Sequence, residues 1–295
     1  MHLTVLVTGV TGKTGRCVAE SLVTRGVGVR ALVRDIERGK MATLGMGVEL
    51  VLGDLDQPVM IAAASVGCEG MYLISSDSER QVDQEISVAR TTIASGVQHI
   101  VKLSSSDAGQ RPYAWSVAHA EIETAVMRMD AHYSFLRPHY FMQNYLSLLN
   151  VDIEGVITLE APANDGEIGA IDTYDIGECA AALLDSGTSL QSHSLLTGPE
   201  NISMNRVAEA FSNATGRKIR YVNLDVSDYQ RELEENSPKS AADISGVYGE
   251  VRVGTMAVHT DNVERLSGKK PRSIDEFSET NAGMINAVID TRAPR

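Results

Sequence analysis

Apolar positions in this chain fall into short unbroken runs separated by longer stretches with helical spacing. The runs predict strands at 3–8, 28–33, 48–52, 70–75, 98–104 and 132–136. The stretches between them predict helices near 13–25, 57–66, 78–95 and 116–130. A run of four to eight residues with no polar alternation fits a strand covered on both faces, as in a parallel sheet. Strands alternating with helices require right-handed crossovers, so the chain is expected to be α/β: a Rossmann-type doubly wound parallel sheet. After about residue 150 the rhythm loosens. "GVITLEAPANDGEIGAIDTYDIGECAAALL" reads as short strands followed by a helix from about Asp175. "SHSLLTGPENISMNRVAEAFSNATGRKIRYVNL" reads as strand, helix and strand. Its helix is capped near Ser203 and carries Val207, Ala208 and Phe211 on one stripe. "SDYQRELEEN" reads as an acidic helix with a solvated face. The expected organisation is a Rossmann domain over 1–150, with 172–200 returning to it. Segments 151–171 and 201–295 form a small C-terminal α/β lobe that binds substrate, over the sheet edge where a pocket could close.

Composition narrows the function. The 295 residues are 43% hydrophobic, ample for a large core, and carry a net charge of −13 with no Lys/Arg-rich run. An acidic chain without a basic face argues against nucleic acid as a partner. The cysteines Cys17, Cys68 and Cys179 are far apart and match no metal spacing, so no metal is expected and they read as buried thiols of a reducing compartment. Leu3 already begins a strand, which leaves no room for a signal peptide, and no apolar run is long enough to span a bilayer. A soluble cytoplasmic protein with no membrane partner, monomeric or homodimeric, is the expectation.

The stretch "LVTGVTGKTG" holds two competing phosphate-binding patterns. A triphosphate loop would need glycine at position 7, where the chain has Val7. Gly9, Gly12 and Gly15, set between a strand and a helix, instead fit a dinucleotide turn. Gly9 makes the turn, Gly12 admits the pyrophosphate, and Gly15 lets the helix close on the strand. Thr11, Lys13 and Thr14 belong to the same turn. The alternative is a tight turn without a ligand. An acid that grips the ribose of NAD is expected about 20 residues on, at the end of the second strand. Arg34 stands there, followed by Asp35, Arg38 and Lys40. A guanidinium pairs with a 2′-phosphate, which favours NADP(H) over NAD(H). The alternative makes Arg34 a surface residue and Asp35 a cap. In "LVLGDLDQP", Asp54 can accept from an adenine amino group and Leu55 can cover the ring; Asp54 or Asp56 could simply start the helix containing Pro58, and both roles can coexist. Ser75 and Ser76 end the fourth strand at the same edge and are placed beside the nicotinamide.

Taken in order, "VTGVTGKTG", "ALVRD", "GDLD", "YLISS", "VKLSS", "FLRPHYFMQNYL", "TYDIGECAAALL" and "LLTGPENIS" resemble the NmrA-like group of atypical short-chain dehydrogenase/reductases over nearly the whole chain. The resemblance implies a Rossmann domain with a small C-terminal lobe. It also implies an NAD(P)H-dependent reductase of quinones or dyes, or an NADP sensor without catalysis. Ordinary short-chain dehydrogenases carry Tyr-x-x-x-Lys on the helix after the fifth strand. In "RPYAWSVAHAEIETAV" the lysine position is His119, the tyrosine position is Trp115, and Tyr113 is six residues before His119. The usual pair is therefore expected to be missing. His119 is left as a ribose donor, a proton donor near neutral pH, or a partner of Glu123 one turn on. Ser104 and Ser105 resemble the family serine that orients a substrate oxygen. Pro138, His139, Tyr140 and Phe141 are expected to wall the nicotinamide, and Tyr140 offers a hydroxyl in place of the missing tyrosine or is a core aromatic. The expected activity is hydride transfer from NADPH to a small electron-poor acceptor: a quinone, imine, enone or activated carbonyl. The rival is a regulatory protein that reads NADP(H).

Overall fold

The computed structural model describes residues 3–293. Along the chain run β1 (Thr4–Val7), α1 (Lys13–Thr24), β2 (Gly28–Val33), α2 (Ile36–Ala42), β3 (Glu49–Leu52), α3 (Pro58–Ser65), β4 (Gly70–Leu73), α4 (Gln81–Ala94), β5 (His99–Leu103), α5 (Ala114–Val126) and β6 (His132–Pro138). A 3-10 helix (Met142–Leu148) leads to β7 (Leu149–Val151), β8 (Ile157–Ala161) and β9 (Glu167–Ile168). Then come α6 (Thr173–Ser186), β10 (His193–Leu196), β11 (Ile202–Ser203), α7 (Met204–Thr215) and β12 (Ile219–Asn223). The chain ends with α8 (Val226–Asn236), α9 (Ala241–Arg252), α10 (Asn262–Ser267), α11 (Ile274–Thr280) and α12 (Ala282–Arg292).

Two compact units result. One comprises the chain up to Pro138 together with Thr173–Leu196 and Asn262–Lys269; the other comprises His139–Asp172, Thr197–Asp261 and the chain from Lys270 onward. The first holds a seven-stranded sheet in the order β10-β6-β5-β4-β1-β2-β3, parallel at every pairing. This is the α/β doubly wound fold that the apolar runs announce. Leu6, Met71, Leu73, Ile100 and Phe135 point from the sheet into one core with Ile61 of α3, Val88 of α4 and Ile122 of α5. The pair α1 and α6 approaches so closely that a Cβ on Gly177 would stand 2.7 Å from the carbonyl carbon of Cys17. The sequence reading has no helix between the second and third strands. The structure puts α2 there, seven residues started by Asp35, whose carboxylate accepts from the amides of Glu37 and Arg38. Nor does the reading place Asp54 or Asp56 correctly as starters of α3: Gln57 stands at that cap, with Pro58 in the first turn.

The second unit has a three-stranded sheet, β12-β8-β7, and a two-stranded one, β11-β9. Its core gathers Tyr145, Leu149, Leu159, Met204, Val207, Phe211, Phe277 and Ile285. Ser203 caps α7 through Arg206 N–H, as expected from the sequence, and Gly216 ends it in the left-handed conformation. The acidic face of α8 is exposed, but its Tyr229 is buried edge-on against Tyr248 of α9, ring centroids 5.3 Å apart. The helices α9 to α12 lie beyond the sequence reading.

The α1–α6 approach makes a direct prediction. Gly177→Ala must push the helices apart and should cost about 1–3 kcal/mol. Gly249→Ala, in α9 with nothing within 4 Å of its added Cβ, should be neutral or stabilising by up to about 1 kcal/mol. Urea unfolding of the two variants beside the parent checks the contrast.

Candidate functional site

In a parallel sheet every strand ends at the same edge, and crevices outside those ends are where such sheets take ligands. The turn after β1 lies there. Gly9 has φ +67°, open to glycine and costly to others, and its added Cβ would meet Ile74 at 2.7 Å. Gly12 N–H donates to Gly9 O at 2.8 Å and stands at the N-cap of α1, which no side chain caps. Gly15 is the tightest: its Cβ would sit 2.3 Å from Gly9 O. Thr8 Oγ1 donates to Ile74 O at 2.7 Å and accepts from Ile74 N–H at 2.9 Å, tying the turn to the end of β4. Thr14 is buried, while Thr11 and Lys13 lie on the exposed side. A helix start free of side-chain capping, approached through glycines, is a cradle for a phosphate group, and one that a Cβ would fill.

Arg34 directly follows β2 and is exposed, as is Arg38. Among the described residues neither guanidinium has an ion-pair partner. Lys40 is engaged by Glu37 at 2.7 Å, and Asp35 holds two amides with one oxygen. Position 35 thus behaves as a cap, and the two arginines present the free charge. After β3, Asp54 Oδ1 accepts from Asp56 N–H at 3.0 Å, and Leu55 packs on the core below. Asp56 pairs with Arg80 at 2.7 Å. After β4, Ser75 donates to Glu85 Oε1 through both its amide (3.2 Å) and its hydroxyl (2.9 Å), while Ser76 is exposed.

Beyond β5 the side chains form two buried ionic groups. Ser104 Oγ donates to Glu123 Oε1 at 2.6 Å, and Arg137 grips both oxygens of Glu123, through Nε at 3.0 Å and Nη2 at 2.5 Å. The serine proton is therefore committed to Glu123. Ser105 donates to Asp107, which also accepts from the Trp115 indole at 3.2 Å. Tyr113 stands at the N-cap of α5, its ring 5.0 Å from that of Trp115. The second group centres on Lys102 of β5, which is fully buried and 2.6 Å from Glu85 of α4, also fully buried. Its Nζ lies 3.1 Å from His119 Nδ1.

His119 therefore contacts Lys102, and Glu123 contacts Arg137. The pairing of His119 with Glu123 is replaced, because the guanidinium offers Glu123 a two-pronged, charge-assisted partner. Nor does His119 titrate near neutrality. Burial, then the charges of Lys102 and Arg137, push its imidazole down to about 2. Burial and the two cations favour its neutral form.

Pro138 closes β6, and its carbonyl accepts from Ser106 N–H at 3.2 Å. The next two residues belong to the second unit. His139 is buried there, its Nδ1 has no hydrogen-bond partner among the described residues, and burial pushes it down to about 4. Tyr140 Oη is 3.3 Å from Tyr248 Oη, and its ring is 5.2 Å from Tyr145. Burial raises the Tyr140 hydroxyl well above its ordinary value.

Lys102, Glu85 and Arg137 are buried charges at this edge that the sequence reading does not single out, and Glu123 enters it only as a partner for His119. One signal was available: "HIVKL" is a five-residue buried strand with a lysine in it, and a buried cation demands partners. Among the described residues no group of three or more His, Cys, Asp and Glu could hold a metal ion, and no helix is long and apolar enough to cross a membrane.

A model of the NmrA-like family matches residues 1–278. A reductase of (4-alkanoyl-5-oxo-2,5-dihydrofuran-3-yl)methyl phosphate from Streptomyces griseus is 31% identical, the match covering 94% of this chain and 98% of the relative. The NADPH complex of the Escherichia coli quinone oxidoreductase QOR2 superposes with a TM-score of 0.79 at 22% identity, over 94% of this chain and 99% of that one. NmrA, a negative transcriptional regulator solved with NADP, superposes with a TM-score of 0.77 at 18% identity, over 96% of each. At these identities the two structures speak for the fold alone.

Buried histidines also set the response to acid. His99, donor or acceptor to Ser134 Oγ at 3.2 Å, is pushed down to about 4 by burial and by His132. His99, His119 and His139 are thus neutral in the fold but protonate near 6.5 once unfolded. The unfolded chain binds more protons below that value, so their contribution to stability is complete above pH 6.5 and is lost as pH falls toward 4. Urea unfolding from pH 7 to pH 5 should show this decline, about 1 kcal/mol per pH unit for each histidine, and His99→Gln should make the slope shallower.

Proposed function

The chain belongs to the NmrA-like family, and we propose that it is an NADP(H)-dependent oxidoreductase that delivers hydride to a small electron-poor acceptor: a quinone, imine, enone or activated carbonyl. The observation that carries the reading is the glycine cradle at the start of α1, where Gly9, Gly12 and Gly15 bring backbone donors to the open edge of the sheet. The reductase relative at 31% identity supports the reaction class, and the NADPH- and NADP-bound neighbours support the nucleotide.

The residues present fit such a cofactor. The α1 N-terminus would take the pyrophosphate. Arg34 and Arg38 would take a 2′-phosphate, since both carry unpaired charge where an NAD enzyme has an acid. Asp54 and Leu55 would meet the adenine; Ser75, His119 and Pro138 would border the nicotinamide half. Reduced nicotinamide supplies the hydride. His119 offers a neutral ring nitrogen for the ribose or the acceptor oxygen. Because it is unprotonated at neutral pH, it positions and stabilises, and the proton follows from water. Electron-poor acceptors suit this arrangement, since they take hydride with little help from a general acid. Ser104, with its proton on Glu123, offers an acceptor to a bound hydroxyl. Tyr140 supplies an un-ionised hydroxyl from its own unit. The substrate is a small molecule.

A second reading, a protein that senses NADP(H) without turnover, has the absence of an imidazolium at His119 on its side. Oxidation of NADPH with a panel of quinones, dyes and enones separates the two. Turnover supports the enzyme, and tight NADP(H) binding without turnover supports the sensor.

Nucleotide choice is a sharper test. NADP(H) should bind more tightly than NAD(H), and Arg34→Ala should remove roughly ten- to a hundredfold of that preference, about 1.5–3 kcal/mol for one charge-assisted contact. Calorimetry on parent and variant reads it directly. Gly12→Val should abolish nucleotide binding while the circular dichroism stays native, since its Cβ meets only Gly9 O, at 3.2 Å, and otherwise projects into the cradle. Normal affinity in that variant would reject the dinucleotide assignment.

A further inference from the structure

Lysine is almost never fully buried unless every donor is matched. Lys102 is fully buried on a strand whose other four residues are buried too. An ammonium has three hydrogens and no lone pair. Lys102 Nζ donates to Leu103 O at 2.7 Å, lies 3.1 Å from His119 Nδ1, and forms an ion pair with Glu85 Oε2 at 2.6 Å. Glu85 is tied in turn to Ser75 and, through Gln81 Nε2 at 3.3 Å, to the first turn of α4. We propose that Lys102 is a positioning residue that fixes His119 in one tautomer, proton on Nε2 and lone pair on Nδ1, so that His119 serves the reaction only as a neutral hydrogen-bond donor. This deepens the oxidoreductase reading and rests on it for the word reaction.

The geometry leaves no other arrangement. A donor-only neighbour requires a lone pair on Nδ1, and a neutral imidazole then carries its hydrogen on Nε2. Protonating the ring would aim an N–H at the ammonium. The groups that face it from the packed elements oppose this further. Lys102 comes from β5 and Arg137 from β6, both cationic. The carboxylates of Glu85 and Glu123 are occupied by those same cations, and Asp77, after β4, faces Glu85 and Lys102. Burial acts in the same direction. Among the described residues Nε2 has no hydrogen-bond partner, and His119 keeps 9% of its surface exposed, so the fixed hydrogen is open to a ligand. In a reduction the acceptor gains two electrons and one hydrogen as hydride from the nicotinamide. The oxyanion that develops is stabilised by the Nε2 hydrogen, which stays on the ring, and takes its proton from water.

The test uses full-length protein labelled with 15N, with His119 assigned by comparison with His119→Gln. Two-bond 1H–15N spectra should show wild-type His119 as the Nε2–H tautomer, unchanged from pH 8 to pH 5. Lys102→Met combined with Glu85→Gln removes both charges at similar volume. In that protein His119 should populate both tautomers, and kcat should fall about tenfold with KM for NADPH unchanged. Lys102→Arg keeps a cationic donor and should retain the Nε2–H tautomer. A wild-type ring that carries its proton on Nδ1 or titrates near pH 6.5 overturns the proposal, even if neither variant folds. A double variant that keeps the wild-type tautomer also overturns it. None of these spectra needs cofactor. Absence of NADPH binding or turnover would count against the oxidoreductase reading, and the spectra would still decide the role of Lys102.

Discussion

The close approach of α1 to the turn after β1 is the constraint on which the rest of the first unit depends. Only because Gly15 lacks a side chain can the helix begin directly against Gly9 O, where a Cβ would lie at 2.3 Å. That contact fixes where the helix starts, and so where its first amides point. The same helix is pressed from its other side by α6 through Gly177 and Cys17. A helix held at this spacing by backbone contact presents its N-terminus with little freedom, and a pre-formed anion site loses less entropy on binding.

Under that edge the polar chemistry is carried by buried ions. Lys102 with Glu85 and Arg137 with Glu123 are costly to bury, and pairs of this kind do not by themselves make a fold more stable. What they do is orient. Each carboxylate is reached by a serine from a strand end, Ser75 for Glu85 and Ser104 for Glu123, and each cation bears on His119. Strand ends that would otherwise be mobile turns are thereby set by charges anchored in the core.

The sheet was legible in the sequence because its central strands β1, β2 and β4 are nearly unbroken apolar runs, separated by stretches long enough for helices. The glycine turn was legible for the same reason, since its spacing is interpretable only between a strand and a helix. By contrast, α2 was not. "IERGKMA" is short and contains a glycine, and the helix is held by the Asp35 cap and by Gly39 fitting against Val33 and Leu50. The partners of His119 were also out of reach. The i, i+4 rule offered Glu123, but that carboxylate is claimed by Arg137 from another strand, and Lys102 is supplied by the sheet beneath. Local spacing gives candidates, whereas the outcome among competing charges is decided by elements far apart in sequence.

Glu178 of α6 accepts from Ser21 at 3.1 Å and pairs with Arg25 at 2.9 Å, both on α1, and with Lys269 at 2.9 Å, just past α10. Nearby, Asn262 donates to Leu195 O at 2.8 Å. The Rossmann unit is therefore closed by a segment that follows residues 197–261 of the other unit. During synthesis the nascent sheet must wait for this late segment, holding its α6 carboxylate incompletely paired while the intervening chain emerges. Such interleaving raises the sequence separation of native contacts and so slows folding. A ribosome pause or a truncation before Lys269 would thus leave the Rossmann unit itself unfinished, even though its glycine turn was among the first residues made.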